Sequence, residues 1–133
     1  MNAQSVKALI VGGYAVAFHA KPRFTKDIDL LVEPHPDNAQ RLLRALHAFG
    51  FGAAGLSADD FTTPGRVVQL GVAPNRIDLM TAIDGVSFAD AWIGRVSGHF
   101  GAVPVFYIGK AELVRNKRAT GRAQDLADVD ALE

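Results

Sequence analysis

Two aspartates, two residues apart, alternate with apolar residues in the stretch DIDLLVE at 27–33. The run of Ile, Leu and Val predicts a strand, in which Asp27 and Asp29 point to the same face, about 6.5 Å apart along the backbone. The intervening Ile and Leu side chains face the other way. Aspartate is disfavoured in strands and is seldom buried without a partner, so the fold has to supply a cation or a set of donors beside this strand.

Two interpretations of the aspartate pair stay open at this point. In the first, both carboxylates hold a divalent metal such as Mg²⁺, which prefers oxygen ligands and is commonly bound by one or two carboxylates plus substrate phosphates. In the second, Asp27 caps the turn after Thr25 and only Asp29 faces solvent. Tripeptides of the form Asp-x-Asp are common by chance, so the pair alone does not decide between them.

A third carboxylate favours the metal. Asp78 lies in RIDLM, again in mid-strand between apolar neighbours, and a hairpin of 66–72 with 76–83 can lay it beside the first pair. Three carboxylates on one sheet face match a two-metal phosphoryl-transfer centre, in which the ions lie about 3.5 to 4 Å apart. Asp84 precedes Gly85 and is interpreted as a turn residue.

The remaining apolar patterns alternate between strand and helix. They predict further strands over 6–11 and 102–108 and helices over 14–20, 37–49, 87–96, 111–120 and 123–132. This order indicates an α/β (α+β) fold. The 133 residues contain no repeat and no linker rich in Pro, Gly and Ser, so residues 1–133 are expected to form a single domain.

Gly12-Gly13 stands where the first strand turns into a helix. Such a junction lets a phosphate approach exposed backbone N–H groups at a helix N-terminus, although Gly-Gly often marks only a turn. Neither a Walker A motif nor G-x-G-x-x-G is present, and Gly109-Lys110 lacks the upstream glycine and the following Ser or Thr. P-loop and Rossmann chemistry are therefore disfavoured.

Composition excludes several other classes. Fourteen Lys and Arg balance fourteen Asp and Glu, which argues against a protein that coats nucleic acid non-specifically. The chain has no Cys, hence no disulfide, no Cys-based zinc site and no thiol nucleophile, and this suits a reducing compartment. The uncharged run 8–18 is too short to span a bilayer. Together with Lys7 it imitates a signal peptide, but glycines break the run, and a cytoplasmic protein without membrane contact is expected.

The order of these parts resembles a known superfamily. VGGYAVAFHAKPRFTKDIDLLV is similar to the signature of DNA polymerase β-like nucleotidyltransferases, in which Gly-Gly or Gly-Ser precedes Arg-x-Thr-x-Asp-x-Asp, and 13 residues separate Gly13 from Asp27 here. LVRNKRATGRAQDLADVDAL resembles the Lys-x-x-Ala-x-x-Arg-x-x-Asp-x-x-Asp element of the small AbiEii-like members, met in toxin-antitoxin and abortive-infection systems. The resemblance implies their minimal fold, a mixed sheet flanked by helices. Signal-peptide cleavage after Ala20 would remove the glycines that this pattern requires.

Residue roles follow from the resemblance. It implies that Asp27, Asp29 and Asp78 bind the metals and that Asp78 helps to deprotonate the acceptor hydroxyl. The other implied roles are contact with the triphosphate by Gly12 and Gly13, shaping of the loop before the aspartates by Arg23 and Thr25, and phosphate contact by Lys117 assisted by Arg122. Asp125 and Asp128 are expected to orient Lys117 and Arg122 or to cap the last helix rather than to bind metal. His19 is expected to pack on the core.

The implied activity is that of a nucleotidyltransferase using two Mg²⁺ (or Mn²⁺) ions to move NMP from an NTP to an acceptor hydroxyl, releasing pyrophosphate. The resemblance favours an RNA acceptor, such as a tRNA end, or a protein side chain, with a cognate antitoxin as a further partner. Two alternatives stay open: a small-molecule acceptor such as an antibiotic, and a nucleotide- or partner-binding module without turnover. Residues 109–122 carry five bases and one acid, while 123–133 carry four acids and no base. Because the net charge is zero, RNA binding is expected to be weak and salt-sensitive unless a partner supplies more positive surface.

Overall fold

The structure, a computed structural model, describes residues 6–20, 27–48, 55–71 and 76–133. Arg23 and Thr25 lie outside the described residues, as does the turn of the predicted hairpin. The strands are β1 (Ala8–Val11), β2 (Ile28–Val32), β3 (Val67–Leu70), β4 (Ile77–Met80), β5 (Val96–Phe100) and β6 (Val103–Tyr107). The α-helices are α1 (Gly12–His19), α2 (Pro36–Ala48), α3 (Phe88–Ile93), α4 (Lys110–Thr120) and α5 (Ala123–Leu132), and a 3₁₀ helix covers Ala58–Phe61.

The six strands form one mixed sheet in the order β3-β4-β2-β1-β6-β5. β1 pairs antiparallel with β2 and parallel with β6, while β2 pairs parallel with β4. β3 and β5 are the two edge strands, each antiparallel to its neighbour. The mixed α/β architecture and the hairpin of β3 with β4 were predicted from the sequence, and the structure confirms both.

Helices cover both faces of this sheet. Leu31 and Val32 are adjacent in β2 and therefore point to opposite faces. Leu31 belongs to a core cluster with side chains of α1, α4 and α5, whereas Val32 belongs to a second cluster with side chains of α2. Asp29 alternates with Leu31 along the strand and so lies on the face of α1, α4 and α5, while Val32 packs on the other face, as expected.

A buried asparagine ties α2 to the sheet. Asn38 accepts a hydrogen bond from the backbone N–H of Lys7 at 2.7 Å and donates to the carbonyls of Lys7 and Glu33 at 3.1 and 3.0 Å. These bonds satisfy all but one of the hydrogen-bonding positions of a side chain that is fully buried. The helix is thereby fixed against β1 and the end of β2, which leaves the opposite face of the sheet for the polar side chains.

The sequence prediction was wrong near residue 96. The helix predicted over 87–96 ends at Ile93, and Val96 begins β5, which was not predicted. Ser87 caps this short helix through its Oγ, which accepts from the N–H of Asp90 at 3.1 Å, and Gly94 ends it. β5 contains Gly98 and exposed side chains, so it lacks the apolar run by which the other strands were recognised.

None of the helices in the described ranges has the length and apolarity needed to cross a membrane.

Candidate functional site

The register of the sheet brings Asp29 and Asp78 together. Across the parallel pair of β2 and β4, Asp29 lies opposite Asp78, and on its other side it lies opposite Val11 of β1. Side chains directly opposite each other in neighbouring strands point to the same face. Asp27 precedes β2 by one residue and lines the same cavity as the other two. The three carboxylates therefore meet on one face of the sheet, as the sequence predicted.

Gly12 closes this cluster on the side of β1. Its backbone has φ +67°, a left-handed conformation that residues with a Cβ adopt only with strain. A Cβ placed on it would overlap the Oδ2 oxygen of Asp29. Helix α1 begins at this residue rather than at Tyr14, as the sequence had predicted, so Gly12 and Gly13 form the first turn directly beside Asp29.

Arg76 forms ion pairs with two of the three carboxylates. Its Nη2 lies 2.9 Å from Asp27 Oδ2 and its Nε lies 3.0 Å from Asp78 Oδ1. A further hydrogen bond of 3.3 Å runs from Nη2 to Asp78 Oδ2. Arg76 was not among the site residues predicted from the sequence. Its position two residues before Asp78 places it on the same strand face, and this spacing was the available signal.

The charges around Asp29 make its ionisation costly. Burial raises the pKa of this carboxyl from 3.8 to about 6, and repulsion from Asp78 and then Asp27 adds to the effect. Lys117 and Arg76 oppose the shift through their positive charges. The cluster therefore carries an excess of negative charge that a bound cation would relieve.

Lys117 is a buried cation at the other side of the cavity. Its residue is 8% exposed, and its Nζ lies 3.2 Å from Asp125 Oδ1 and 3.2 Å from Asp128 Oδ2. The contact with Asp125 is a hydrogen bond and that with Asp128 an ion pair, and Lys117 itself lines the cavity. Such an arrangement holds the charge of Lys117 in place, which is the orienting role expected for the two aspartates.

Asp125 collects donors from the corner between α4 and α5. It accepts from Thr120 Oγ1 at 2.7 Å and from Arg122 Nε at 2.7 Å, in addition to Lys117. Burial alone would raise its pKa, but the hydrogen bonds from Arg122, Thr120 and Lys117 outweigh burial and hold the pKa well below its usual range. Gly121, with φ +69°, makes the sharp turn that brings these donors together.

The three carboxylates, Arg76, Lys117, Arg122 and Asp125 line one open cavity of about 490 Å³, while Asp128 contacts Lys117 from outside its wall. Every candidate residue within the described ranges lies in its wall, which leaves only Arg23 and Thr25 without a described position. The cavity wall also contains Asp84, which was interpreted as a turn residue, and four polar residues that were not predicted, namely Arg76, Asn116, Thr120 and Gln124. Asp84 does lie in a turn, as interpreted, and its carbonyl accepts a hydrogen bond from Asn116 at 2.9 Å.

The donor set of the cavity suits a hard divalent cation. Carboxylate oxygens are the ligands that Mg²⁺ and Mn²⁺ prefer, and like charges crowd around Asp29. In the described part of the chain, no three Asp, Glu, His or Cys side chains already stand as a complete metal site, and Asp27 and Asp78 instead form ion pairs with Arg76. A metal held by all three carboxylates thus requires these ion pairs to rearrange.

His19 lies apart from this chemistry. Its Nε2 donates to the carbonyl oxygen of Ile108 at 2.6 Å, and its ring packs edge-on against Phe18. The bond links the end of α1 to the residue that follows β6. This packing role is the one that the sequence predicted for His19.

No protein-family model matches the chain, and no curated protein matches it significantly.

Proposed function

We propose that this protein is a metal-dependent nucleotidyltransferase with the fold of DNA polymerase β-like enzymes, moving NMP from an NTP to an acceptor hydroxyl. The observation that supports this most is the convergence of Asp27, Asp29 and Asp78 with Lys117 and the Gly12-Gly13 turn in one cavity. Its volume of about 490 Å³ lies within the range of small-molecule sites, roughly 300 to 1,000 Å³. Phosphoryl transfer requires carboxylates that can hold divalent metal ions and a cation that contacts the phosphate, and this cavity has carboxylates opposite the buried Lys117.

The residues divide the work according to their positions. Asp29 and Asp78, with Asp27 beside them, would hold Mg²⁺ or Mn²⁺, which neutralises the developing charge on the phosphate oxygens. Gly12 and Gly13 expose backbone to the triphosphate, since neither carries a side chain and both lie at the N-terminus of α1. Lys117, which contacts Asp125 and Asp128, would donate to a phosphate oxygen, and the exposed Arg122 adds a second cation.

The reaction is a substitution at the α-phosphorus. The acceptor hydroxyl oxygen forms a bond to this phosphorus, the bond to the bridging α–β oxygen breaks, and pyrophosphate leaves. Asp78 takes the proton from the hydroxyl and passes it to solvent. Lys117 would stabilise the negative charge on the transferred group.

The proposed acceptor is an RNA end or a protein side chain, in the manner of toxins whose activity a cognate antitoxin restrains. The proposed setting is the cytoplasm, where NTP and Mg²⁺ are both available.

The test is transfer of label from each α-labelled NTP to total RNA in the presence of Mg²⁺. Asp29→Asn should lower transfer at least a hundredfold because it removes a carboxylate proposed to hold the metal. Asp59, an exposed carboxylate on the 3₁₀ helix, is the control, and Asp59→Asn should leave transfer unchanged. Label on protein rather than RNA would assign a polypeptide acceptor. If calorimetry detects no NTP binding and no label is transferred, the proposed function is wrong.

A further inference from the structure

Arg76 stands at a definite position among the carboxylates. In the parallel register Ile28 lies opposite Ile77 and Asp29 opposite Asp78, which places Arg76 at the level of Asp27. The backbone supports this, since the N–H of Ile28 donates to the Arg76 carbonyl at 3.2 Å. The strand face therefore carries two successive pairs, first a cation with an anion and then two anions.

We propose that Arg76 takes the place of one of the two divalent ions, so that the free protein binds a single divalent ion at Asp29 and Asp78. This inference rests on the proposed function, because it concerns the metal that the proposed reaction uses. It differs from the two-ion centre expected from the sequence.

The charge balance of the cluster supports one ion. Three carboxylates and one guanidinium give a net charge of −2, which one divalent cation neutralises. Arg76 also contacts Asp78, at 3.0 and 3.3 Å, so the one ion has to displace part of that contact. A second ion would in addition have to share Asp27 with a guanidinium whose Nη2 is 2.9 Å from its Oδ2. The second ion would be repelled both by this guanidinium and by the first divalent ion, and this opposes double occupancy.

The geometry of Arg76 also favours its remaining between Asp27 and Asp78. Its nitrogens contact both Asp27 and Asp78, and paired contacts of this kind are stronger and more directional than those of an ammonium group. Its side chain is 36% exposed, while those of the two aspartates are less so, so the ion pairs are only partly screened by solvent. Arg76 thus links Asp27, which directly precedes β2, to Asp78 of β4.

The test counts bound Mn²⁺ by electron paramagnetic resonance of the free ion during titration of the nucleotide-free protein. The wild type should bind one ion, and Arg76→Met should bind two, because the neutral side chain no longer repels a second divalent ion. Arg66→Met is the matched control: Arg66 forms a 2.9 Å ion pair with Asp60 outside the cavity, and its loss should leave the count at one. Circular dichroism establishes that each variant is folded.

If Arg76→Met folds poorly, Arg76→Gln keeps a donor for Asp27 without the charge and should also bind two ions. Two ions on the wild type, or one on every folded variant, would overturn the role of Arg76 and leave the proposed function standing. No Mn²⁺ bound by any of the proteins would instead overturn the proposed function, and this inference with it.

Discussion

Gly12 is held to its residue type by two independent constraints. One is its backbone conformation at φ +67°, and the other is the Asp29 oxygen that occupies the space where a side chain would begin. The sequence marked this residue only as half of a Gly-Gly pair. The second constraint depends on the pairing of β1 with β2, which composition and periodicity do not reveal, so the closeness of Gly12 to Asp29 was not predictable.

Gly12→Ala should therefore cost more than an ordinary glycine substitution. Gly101, with φ +62° and no heavy atom within 4 Å of the point where a Cβ would lie, provides the comparison. Gly101→Ala incurs only the left-handed backbone cost, about 1 to 2 kcal/mol. Gly12→Ala adds displacement of Asp29 and should lose roughly twice that, together with Mn²⁺ binding, as measured by urea denaturation and metal titration. Equal losses for the two variants would contradict the overlap with Asp29.

Asp29 makes stability depend on pH in the metal-free protein. Its pKa rises from 3.8 in the unfolded chain to about 6 in the fold, so its contribution to stability is fully present below about pH 4 and is lost as pH rises through 6. Asp29→Asn stays neutral and should exceed the wild type by about 1 to 2 kcal/mol at pH 8, allowing for solvent screening. The two proteins should converge at pH 4. Thermal unfolding at both pH values measures this difference in stability, and the exposed Asp59→Asn is expected to have the same stability as the wild type at each pH.

At the scale of elements, most strands and helices around the cavity were predicted from the sequence, whereas the register between β2 and β4 was not. The apolar runs that became β1, β2, β4 and β6 were recognised because each is mostly apolar in sequence. β5 was missed because an edge strand needs no such run. Arg76 was missed for a different reason: the hairpin was expected beside β2, but the parallel register that puts Arg76 level with Asp27 was not predicted.

The corner between α4 and α5 concentrates charge in a buried position. Asp125 is 2% exposed and accepts from three side chains, one of which is the buried Lys117. Asp125→Asn removes the negative charge while retaining the shape, and it should cost about 3 kcal/mol because a buried cation loses a partner. Asp130→Asn, an exposed position on the same helix, should cost nothing measurable in urea denaturation.

The same comparison has a pH signature. Because the pKa of Asp125 is lowered in the folded protein, its stabilisation is fully present above the unfolded value near 4 and declines only in more acidic solution. The difference between the wild type and Asp125→Asn should thus be constant from pH 8 to pH 5. A difference that shrinks across this range would contradict the hydrogen bonds assigned to Asp125.

For the whole molecule, a net charge of zero conceals an uneven distribution. Two of the four acids of residues 123–133 are buried against Lys117, whereas Arg118 of α4 and the adjoining Arg122 are exposed. The surface beside the cavity is consequently more basic than the composition suggests. Some of this charge is compensated, since Arg118 pairs with Glu133.

RNA binding by this chain alone should be weak and should fall about tenfold between 50 and 200 mM salt, as a few phosphate contacts to a single strand predict. Arg115 is exposed, and its guanidinium donates to the carbonyl of Gly85 at 3.2 Å, next to the cavity residue Asp84. Arg115→Glu reverses this charge and should lower RNA affinity several-fold. Arg44→Glu on α2 is the control and should have little effect. Fluorescence anisotropy with labelled RNA measures both. Affinity that does not change with salt would contradict a phosphate-contacting surface.

The strand order also governs when the cavity can assemble. Its carboxylates come from β2 and β4, but the wall that carries Lys117 follows β6, which pairs with β1 across almost a hundred residues of chain, as in Ile10 with Tyr107. A nascent chain on the ribosome therefore exposes its acidic cluster before it has synthesised the buried cation opposite. The complete cavity is available only to a chain translated through α5, so a prematurely terminated product would carry the acidic half of the site alone.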